Sequence, residues 1–154
     1  MSAEARVVEL GLEFPPPAKP IGVYKPLIVV GSLVYTSGHG PLKPDGTLIT
    51  GRVGADLDQA AGYQAARQTA LALLSTVRHH LGSLDRVKRV VKTLGLVNCT
   101  PDFAQTPLVI NGASELFRDI WGPDAGIGAR SAIGAAALPS NMAVEIEMIF
   151  ELAD

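Results

Sequence analysis

The apolar positions near the end of the chain alternate strictly with small or polar ones. From 141 to 152 (NMAVEIEMIFEL) every second residue is large and apolar, and three glutamates lie between them. A period of two over this length is typical of a β-strand with one face in a core. We therefore predict a strand here, with Glu145, Glu147 and Glu151 on its other face.

The preceding segment, GARSAIGAAALPSN, predicts a second strand that ends in a turn at Pro139-Ser140. An antiparallel hairpin between the two segments would place Arg130 diagonal to Glu147. Small residues, Ala132 and Gly134, would then lie opposite the carboxylates. One guanidinium beside two carboxylates, over a floor of small residues, suggests a site for a small carboxylated molecule. The same pattern also fits a solvated sheet face with a surface ion pair worth ~0–1 kcal/mol, and both readings stay open on spacing alone.

Shorter β-type runs occur earlier in the chain. Two of them flank Gly31-Ser32, which favours a hairpin turn, and a longer β-branched run is broken by Thr100-Pro101-Asp102. These strands are predicted at Leu27–Val30, Leu33–Thr36 and Val87–Asn98. The segment Glu4–Leu12 is predicted as a short strand or an arm, followed by a proline-stiffened connection.

Two segments carry the three-to-four spacing of an amphipathic helix. The first spans Leu57–Leu81, with Asp56 as its N-cap in a capping-box pattern and Gly82 as its stop. The second spans Pro107–Trp121 and ends at Gly122-Pro123, with four predicted core residues: Leu108, Leu116, Phe117 and Ile120.

The resulting order, ββ–α–β–α–ββ, predicts an α+β fold with two helices packed on one face of a sheet. The sequence contains no internal repeat and no interdomain linker, so we expect residues 1–154 to form a single domain.

The composition narrows the classes of function. Charged residues make up 18% of the chain, below the ~25% of an ordinary soluble domain, and a surface poor in charge predicts a homo-oligomer. The net charge of −2 and pI near 5.9 give no general attraction to nucleic acid or to an anionic membrane. With no apolar segment of spanning length, no signal-peptide pattern and no internal disulfide open to the single Cys99, we expect a cytoplasmic protein.

Several motifs do not indicate a cofactor, metal, nucleophile or RNA site. Gly38-His39-Gly40 lacks the third glycine and the following helix of a dinucleotide fingerprint. Three histidines and one cysteine do not support a structural zinc site, and Cys99 is interpreted as a small buried or edge residue rather than a nucleophile. A basic cluster lacks the interleaved aromatics of an RNA platform, so a charged strand rim is favoured; it comprises Arg86, Lys88, Arg89 and Lys92.

Three segments resemble the Rid family, the reactive intermediate deaminases, also called YjgF-like or L-PSP proteins. They are IGVYKPLIVVGSLVYTSGHGPL, SLDRVKRVVKTLGLV and GARSAIGAAALPSNMAVEIEMIF. The last is the most specific, because an Ala-Arg-Ser start, a Leu-Pro turn and a Val-Glu-Ile-Glu strand occur at the family's spacing. The resemblance implies a chorismate-mutase-like fold, assembled as a homotrimer with clefts between subunits.

The resemblance also implies a chemistry and its residues. Arg130 matches the arginine that binds the substrate carboxylate, and Glu145 matches the acidic residue that positions or activates water. Tyr24 and Ser37-Gly38 match residues that line the cleft, and Asn111 matches an asparagine of the second helix. Proteins of this kind hydrolyse enamines and imines to 2-keto acids and ammonia, so no metal or cofactor is expected.

Departures from the family pattern place the chain in a divergent subgroup. His39-Gly40 replaces the commoner Gln-Ile, Ala132 and Gly134 replace larger residues, and Gly128 replaces a proline. These changes predict an enlarged, reshaped pocket in which Ala132 lines the cleft. We expect His39 to be a mobile ligand contact at the cleft mouth that titrates near neutrality. The alternatives are a non-catalytic trimer that binds a small carboxylate, and a ribonuclease, which the acidic pI disfavours.

Overall fold

The computed structural model describes residues 1–153, and its organising element is a five-stranded sheet with the last strand at its centre. The strands lie in the order β1-β2-β5-β3-β4. The elements are α1 (Ala3–Glu9), β1 (Leu27–Val30), β2 (Leu33–Thr36), α2 (Gln59–Leu81), β3 (Val87–Asn98), α3 (Thr106–Ala125), β4 (Ala129–Ala135) and β5 (Val144–Leu152).

The alternating apolar and polar residues of β5 point to opposite faces of the sheet, as predicted. Val144, Ile146, Met148 and Phe150 are buried beneath α2 and α3, whereas the glutamates lie on the other face. The two long helices thus cover one face of the sheet, which confirms the predicted α+β architecture. β1, β2 and β3 begin and end where the sequence pattern places them.

The predicted hairpin between β4 and β5 is wrong. β4 pairs in parallel with β3, and β5 pairs antiparallel with the opposite edge of β3, so β3 lies between them. The turn at Pro139–Asn141 is a short 3-10 segment in which Ser140 and Asn141 have positive φ, and it does not join paired strands. Arg130 therefore faces Thr93 on β3 rather than lying diagonal to Glu147.

The start of α2 differs by two residues from the prediction. The N-cap is Asp58, whose side chain accepts a hydrogen bond from Ala61 N. Asp56 instead accepts from Arg52 N in the preceding loop. The helix ends at Gly82, in the left-handed conformation expected of a glycine C-cap.

Helix α3 begins one residue before the predicted start, and its regular part ends at Gly122, whose φ of 80° is non-helical. Leu116, Phe117 and Ile120 are buried as predicted, but Leu108 is 43% exposed, because it lies on the outer face of the helix.

The predicted N-terminal strand or arm is a helix, α1. Ser2 caps it by accepting from Ala5 N. The Glu4 carboxylate accepts a hydrogen bond from Leu84 N and forms a salt bridge with Arg78. Ala3 and Val7 are buried. Seven residues give too few apolar positions for a helical period to stand out from the sequence, and these tertiary contacts stabilise the helix.

The sheet face opposite the helices is uncovered, and we call it the open face. It carries apolar side chains beside the glutamates of β5: Ile28, Tyr35 and Ile133 are exposed, and Leu94, Leu96 and Ile149 are half-buried. Within residues 1–153, no helix combines the length and apolar character needed to cross a membrane.

Candidate functional site

Arg130 lies on the helix-covered side of the sheet, on the edge strand β4. Its Nη1 donates to Asn111 Oδ1 at 2.8 Å and to Ser114 Oγ at 3.2 Å, both on α3. A cavity of about 280 Å³ opens beside the guanidinium. We call it the arginine cavity; its lining includes Thr93, Asn111, Ser114, Glu115, Gly128 and Arg130.

The anchoring of Arg130 leaves much of its hydrogen-bonding capacity available. Both bonds to α3 use Nη1, and in the described part of the chain neither Nε nor Nη2 has a protein acceptor. A guanidinium fixed through one nitrogen can still offer two parallel N–H groups to a carboxylate. The structure brings Asn111 to Arg130, and it adds Ser114, which the sequence did not indicate. The spacing of three between Asn111 and Ser114, on one helix face, is the signal that could have found it.

Glu145 lies on the opposite side of the sheet, at the rim of the open face. It lines a second cavity, of about 470 Å³, which we call the glutamate cavity, together with Tyr24, Ser37 and Gly38. Burial raises the pKa of the Glu145 carboxyl, and the neighbouring Glu147 adds to the shift. A carboxyl with a raised pKa exchanges protons closer to neutrality than an ordinary one.

The neighbours of Glu145 are held by short local contacts. A Cβ at Gly38 would lie 2.7 Å from Glu145 Oε1, so a larger residue there would displace the Glu145 carboxylate. Ser37 Oγ donates to the carbonyl of Lys25 at 2.6 Å, and Tyr24 Oη accepts from Ile21 N at 3.3 Å. Tyr24, Ser37, Gly38 and Glu145 therefore line one cavity.

The expectation that His39 is mobile is wrong, although His39 is among the residues that line the glutamate cavity. His39 is 4% exposed and forms a backbone bridge with Ile146 of β5. Its Nδ1 donates to the carbonyl of Ser37 at 2.8 Å, and Nε2 lies 2.9 Å from Thr76 Oγ1 on α2. Successive side chains of an extended, paired backbone point to opposite sides of the sheet, and the His39 ring is on the side of α2. The flanking glycines suggested mobility, but the bridge removes it.

Burial lowers the pKa of His39, so the fold favours the neutral ring. An unfolded histidine binds a proton near pH 6.5, and the folded one resists doing so. The stabilisation from the neutral ring is therefore present above about pH 6.5 and is lost as the pH falls toward the lowered pKa. We expect the free energy of unfolding to fall as the pH drops below about 6.5, and His39→Gln to remove part of this fall. Urea unfolding at several pH values measures it.

The matched control for that prediction is His79→Gln, since His79 is exposed at the end of α2. This variant should keep the wild-type dependence on pH. If the free energy of unfolding of His39→Gln depended on pH as that of wild type does, protonation of His39 would not destabilise the fold.

Ala132 joins neither cavity. Its side chain packs against the core, and its carbonyl accepts from Thr106 Oγ1 at 2.9 Å. Like Arg130 it faces α3, two residues further along β4, which separates it from Glu145 by the thickness of the sheet. The predicted floor of small residues beneath the carboxylates is therefore not formed.

The two cavities share no lining residue. Arg130 and Glu145 are on opposite faces, on strands separated by β3, so the same small molecule cannot contact both in one chain. In residues 1–153, no three side chains among His, Cys, Asp and Glu are grouped as metal ligands. The chain presents two half-sites, one cationic and one acidic.

This α+β domain, with an open sheet face and two separate half-sites, matches a known protein family. The model of the family described as YjgF/chorismate mutase-like, putative endoribonuclease, matches residues 4–152. The chain belongs to this family, as its sequence resemblance predicts.

Individual relatives agree with this assignment. Protein TCP17 of Trypanosoma cruzi is 40% identical over 148 residues, covering 96% of this chain and 92% of TCP17. The crystal structure of a putative endoribonuclease from Shewanella oneidensis superposes with a TM-score of 0.94 at 32% identity, covering 99% of this chain and all of the other. Escherichia coli TdcF with bound serine gives a TM-score of 0.61 at 25% identity, with 90% and 94% coverage.

Proposed function

We propose that this protein is a deaminase that hydrolyses reactive enamines and imines to 2-keto acids and ammonia in clefts between the subunits of a homotrimer. The observation that carries the proposal is the separation of the half-sites. Arg130 is oriented with free N–H groups, Glu145 has a raised pKa, and no single chain brings them together. A second copy of the chain can place its arginine cavity against the glutamate cavity of the first.

The open face supports assembly. An isolated chain would expose Ile28, Tyr35 and Ile133, and several exposed apolar side chains on one sheet face are typical of an interface. A cyclic trimer uses the same heterologous contact three times, so each cleft receives one arginine and one glutamate half-site.

The assembly gives a direct prediction. Ile133→Asp changes a side chain that is 51% exposed in the single chain, where a carboxylate would cost little. In a trimer that covers the open face, the same carboxylate would be buried, so we expect this variant to dissociate. Light scattering at micromolar concentration should give three chain masses for wild type and one for the variant.

Leu108→Asp is the matched control, because Leu108 is similarly exposed but lies on the outer face of α3. It should remain trimeric. A monomeric wild type, or an Ile133→Asp protein that stays trimeric, would contradict the proposed use of the open face.

Substrate binding follows from the geometry of Arg130. A planar guanidinium takes a carboxylate through two parallel hydrogen bonds, a charge-assisted contact worth ~1.5–3 kcal/mol. Asn111 and Ser114 hold the guanidinium from behind, which fixes the direction of the C2 atom of the bound imino acid. E. coli TdcF with bound serine provides a family precedent for a small amino acid ligand.

Glu145 supplies the proton transfers. As a carboxylate it accepts a proton from water while the water oxygen bonds to C2 of the imine, and the C=N π electrons move to nitrogen. The resulting carboxyl then protonates the nitrogen, which gives the carbinolamine and returns Glu145 to the carboxylate. Glu145 next takes the proton of the C2 hydroxyl and passes it to the amino group, so the C–N bond breaks as the C=O bond forms and ammonia leaves. The carbon is already electrophilic, so orientation and one placed water account for most of the catalysis.

The test is ammonia release from freshly generated imino acids. Wild type should release ammonia above the spontaneous rate, and Arg130→Ala should not. Arg78→Ala is the control, since it removes a surface guanidinium of α2 that lines neither cavity. Ammonia release equal to background for wild type would reject the deaminase.

A binding protein without turnover is the second candidate. The free N–H groups of Arg130 favour it, because a carboxylate can bind there whether or not water is activated at Glu145. Binding of a 2-keto acid without ammonia release would establish this alternative. Ribonuclease activity, which the family's name suggests, is tested separately by gel analysis of RNA incubated with the protein; the acidic pI of 5.9 argues against it.

A further inference from the structure

The pairing of β2 with β5 continues beyond the end of β2 as far as His39, but with one residue too many. His39 comes four residues after Tyr35 in the chain. Their partners on β5 are Ile146 and Ile149, which are three residues apart. An extra residue on one of two paired strands makes a β-bulge, a feature that is common beside active sites, where it redirects a side chain. We call Ser37–Gly38 the bulge.

The bulge backbone lies between Glu145 and His39. On the open face, Gly38 is so close to Glu145 that a Cβ there would lie 2.7 Å from Oε1. On the opposite side, the ring of His39 is buried beneath α2. The bulge therefore contacts the carboxyl through Gly38, and its other side is held by the histidine.

The His39 imidazole connects the bulge to α2. Its Nδ1 lies 2.8 Å from the carbonyl oxygen of Ser37, and a carbonyl only accepts, so Nδ1 carries the proton. In a neutral ring Nε2 is then an acceptor, and the hydroxyl of Thr76 donates to it at 2.9 Å. Ser37 is also tied on its other side, because its N–H donates to the carbonyl of Pro26 and its hydroxyl to that of Lys25.

The ring stays neutral at neutral pH. Burial lowers the pKa of His39; the hydrogen bond to Ser37 opposes this shift, and the charge of His80 on α2 adds to it. The tautomer with the proton on Nδ1 is therefore the one that both partners select. Without this donor the half-buried carbonyl of Ser37 would turn toward water, and the bulge would move with it.

We propose that His39 is a positioning residue for Glu145, and that its Nδ1–H holds the bulge against the Glu145 carboxyl. This role rests on the proposed function, because it takes Glu145 to be the group that transfers protons. The imidazole acts through the bulge rather than on the substrate, since its two nitrogens are bonded to Ser37 and Thr76.

The contact affects the acidity of the carboxyl. Burial is the first cause of the raised pKa of Glu145, and Gly38 contributes to that burial. If the bulge moved away, water would reach the carboxyl, its charged form would be favoured and its pKa would fall. On β3 the residue opposite Glu145 is the apolar Leu96. The titratable and charged side chains around the carboxyl are Lys19, Tyr24 and His39 of the cavity lining and Glu147 of β5.

Asparagine and glutamine separate the roles of the two ring nitrogens. The amide nitrogen of asparagine is as many bonds from Cα as Nδ1 is, and that of glutamine is as many as Nε2. His39→Asn therefore keeps the donor to Ser37, whereas His39→Gln keeps the contact with Thr76. The first variant should hold the bulge in place, and the second should release it.

The test is a titration of the Glu145 carboxyl by NMR of protein labelled with carbon-13 glutamate, the signal being assigned by its absence in Glu145→Gln. The pKa of Glu145 should be lower in His39→Gln than in wild type and unchanged in His39→Asn. Thr76→Val keeps the ring but removes the hydroxyl that selects its tautomer, so it should lower the pKa by less. His79→Gln, at the exposed end of α2, should titrate as wild type.

The ammonia assay gives a second readout on the same variants. His39→Gln should lower kcat on the order of tenfold with little change in KM, because Glu145 is misplaced while the contacts of Arg130 are kept. The acidic limb of its pH–rate profile should move to lower pH. His39→Asn should restore both properties.

Two results would overturn the positioning role: a Glu145 carboxyl that titrates alike in wild type and His39→Gln, or a His39→Asn protein that behaves as His39→Gln does. If His39→Gln does not fold, the same titration of Thr76→Val decides, and a wild-type pKa there would overturn the role. The titration needs no turnover. A lowered pKa in His39→Gln, with no ammonia release by wild type, would reject the deaminase and support the positioning of Glu145 by His39.

Discussion

Replacing Glu145 by glutamine is expected to lower the turnover of an imino acid by ~10²–10⁴-fold while a 2-keto acid binds about as well as before. The amide keeps the shape of the side chain but cannot take a proton from water. Affinity for the product should be unchanged or slightly higher, because a negative charge near the ligand carboxylate is removed. Steady-state kinetics and calorimetry on the same preparation separate the two effects.

Glu147→Gln is the matched control, since Glu147 lies on the same face of β5 but is exposed. It should remain active. Because the charge on Glu147 helps to raise the pKa of Glu145, its removal should lower that pKa. A base works when deprotonated, so the acidic limb of the pH–rate profile should move to lower pH. Full activity in Glu145→Gln would remove this residue from the chemistry.

Mixed trimers of two inactive variants are expected to regain activity. Arg130→Ala chains retain Glu145, and Glu145→Gln chains retain Arg130. In a trimer, a cleft formed by the intact half of each is complete. Random mixing of equal amounts should give about a quarter of the wild-type activity, because each cleft draws one half-site from each of two neighbouring chains. Coexpression with two affinity tags, followed by the ammonia assay, measures it.

A chain with both substitutions is the control for mixing. Combined with either single variant it supplies only one kind of half-site, so no activity should return. If the two single variants mix into trimers yet stay inactive, the clefts are not shared between chains. Arg130→Lys, assayed alone, should also lose affinity, since an ammonium cannot reproduce the guanidinium's two parallel bonds.

Much of the fold could be predicted from periodicity alone. Strands β1, β2 and β3 and the buried face of β5 each have a local pattern that their surroundings do not override. The pairing of β4 could not be predicted, because its run of small residues has no preferred face and a turn signal at Pro139 also fits a non-paired loop. β4 pairs with β3 because α3, which connects the two strands, returns the chain beside β3.

The sequence indicates candidate site residues, but the arrangement predicted for them was wrong. Arg130, Asn111 and Glu145 follow from the family resemblance, but their division between the two faces depends on a pairing that no local pattern encodes. His39 shows the opposite error. Two flanking glycines suggest mobility, whereas Thr76, distant in sequence, accounts for its burial.

The position of β5 also governs when the protein can fold. β5 follows the other four strands of the sheet in the chain, yet it occupies the middle, between β2 and β3. Until β5 has been synthesised, the β1-β2 hairpin has no sheet to join, and β3 presents an unpaired apolar edge. The sheet therefore closes through contacts between residues far apart in the chain, a topology associated with slow folding and with exposure to aggregation before closure.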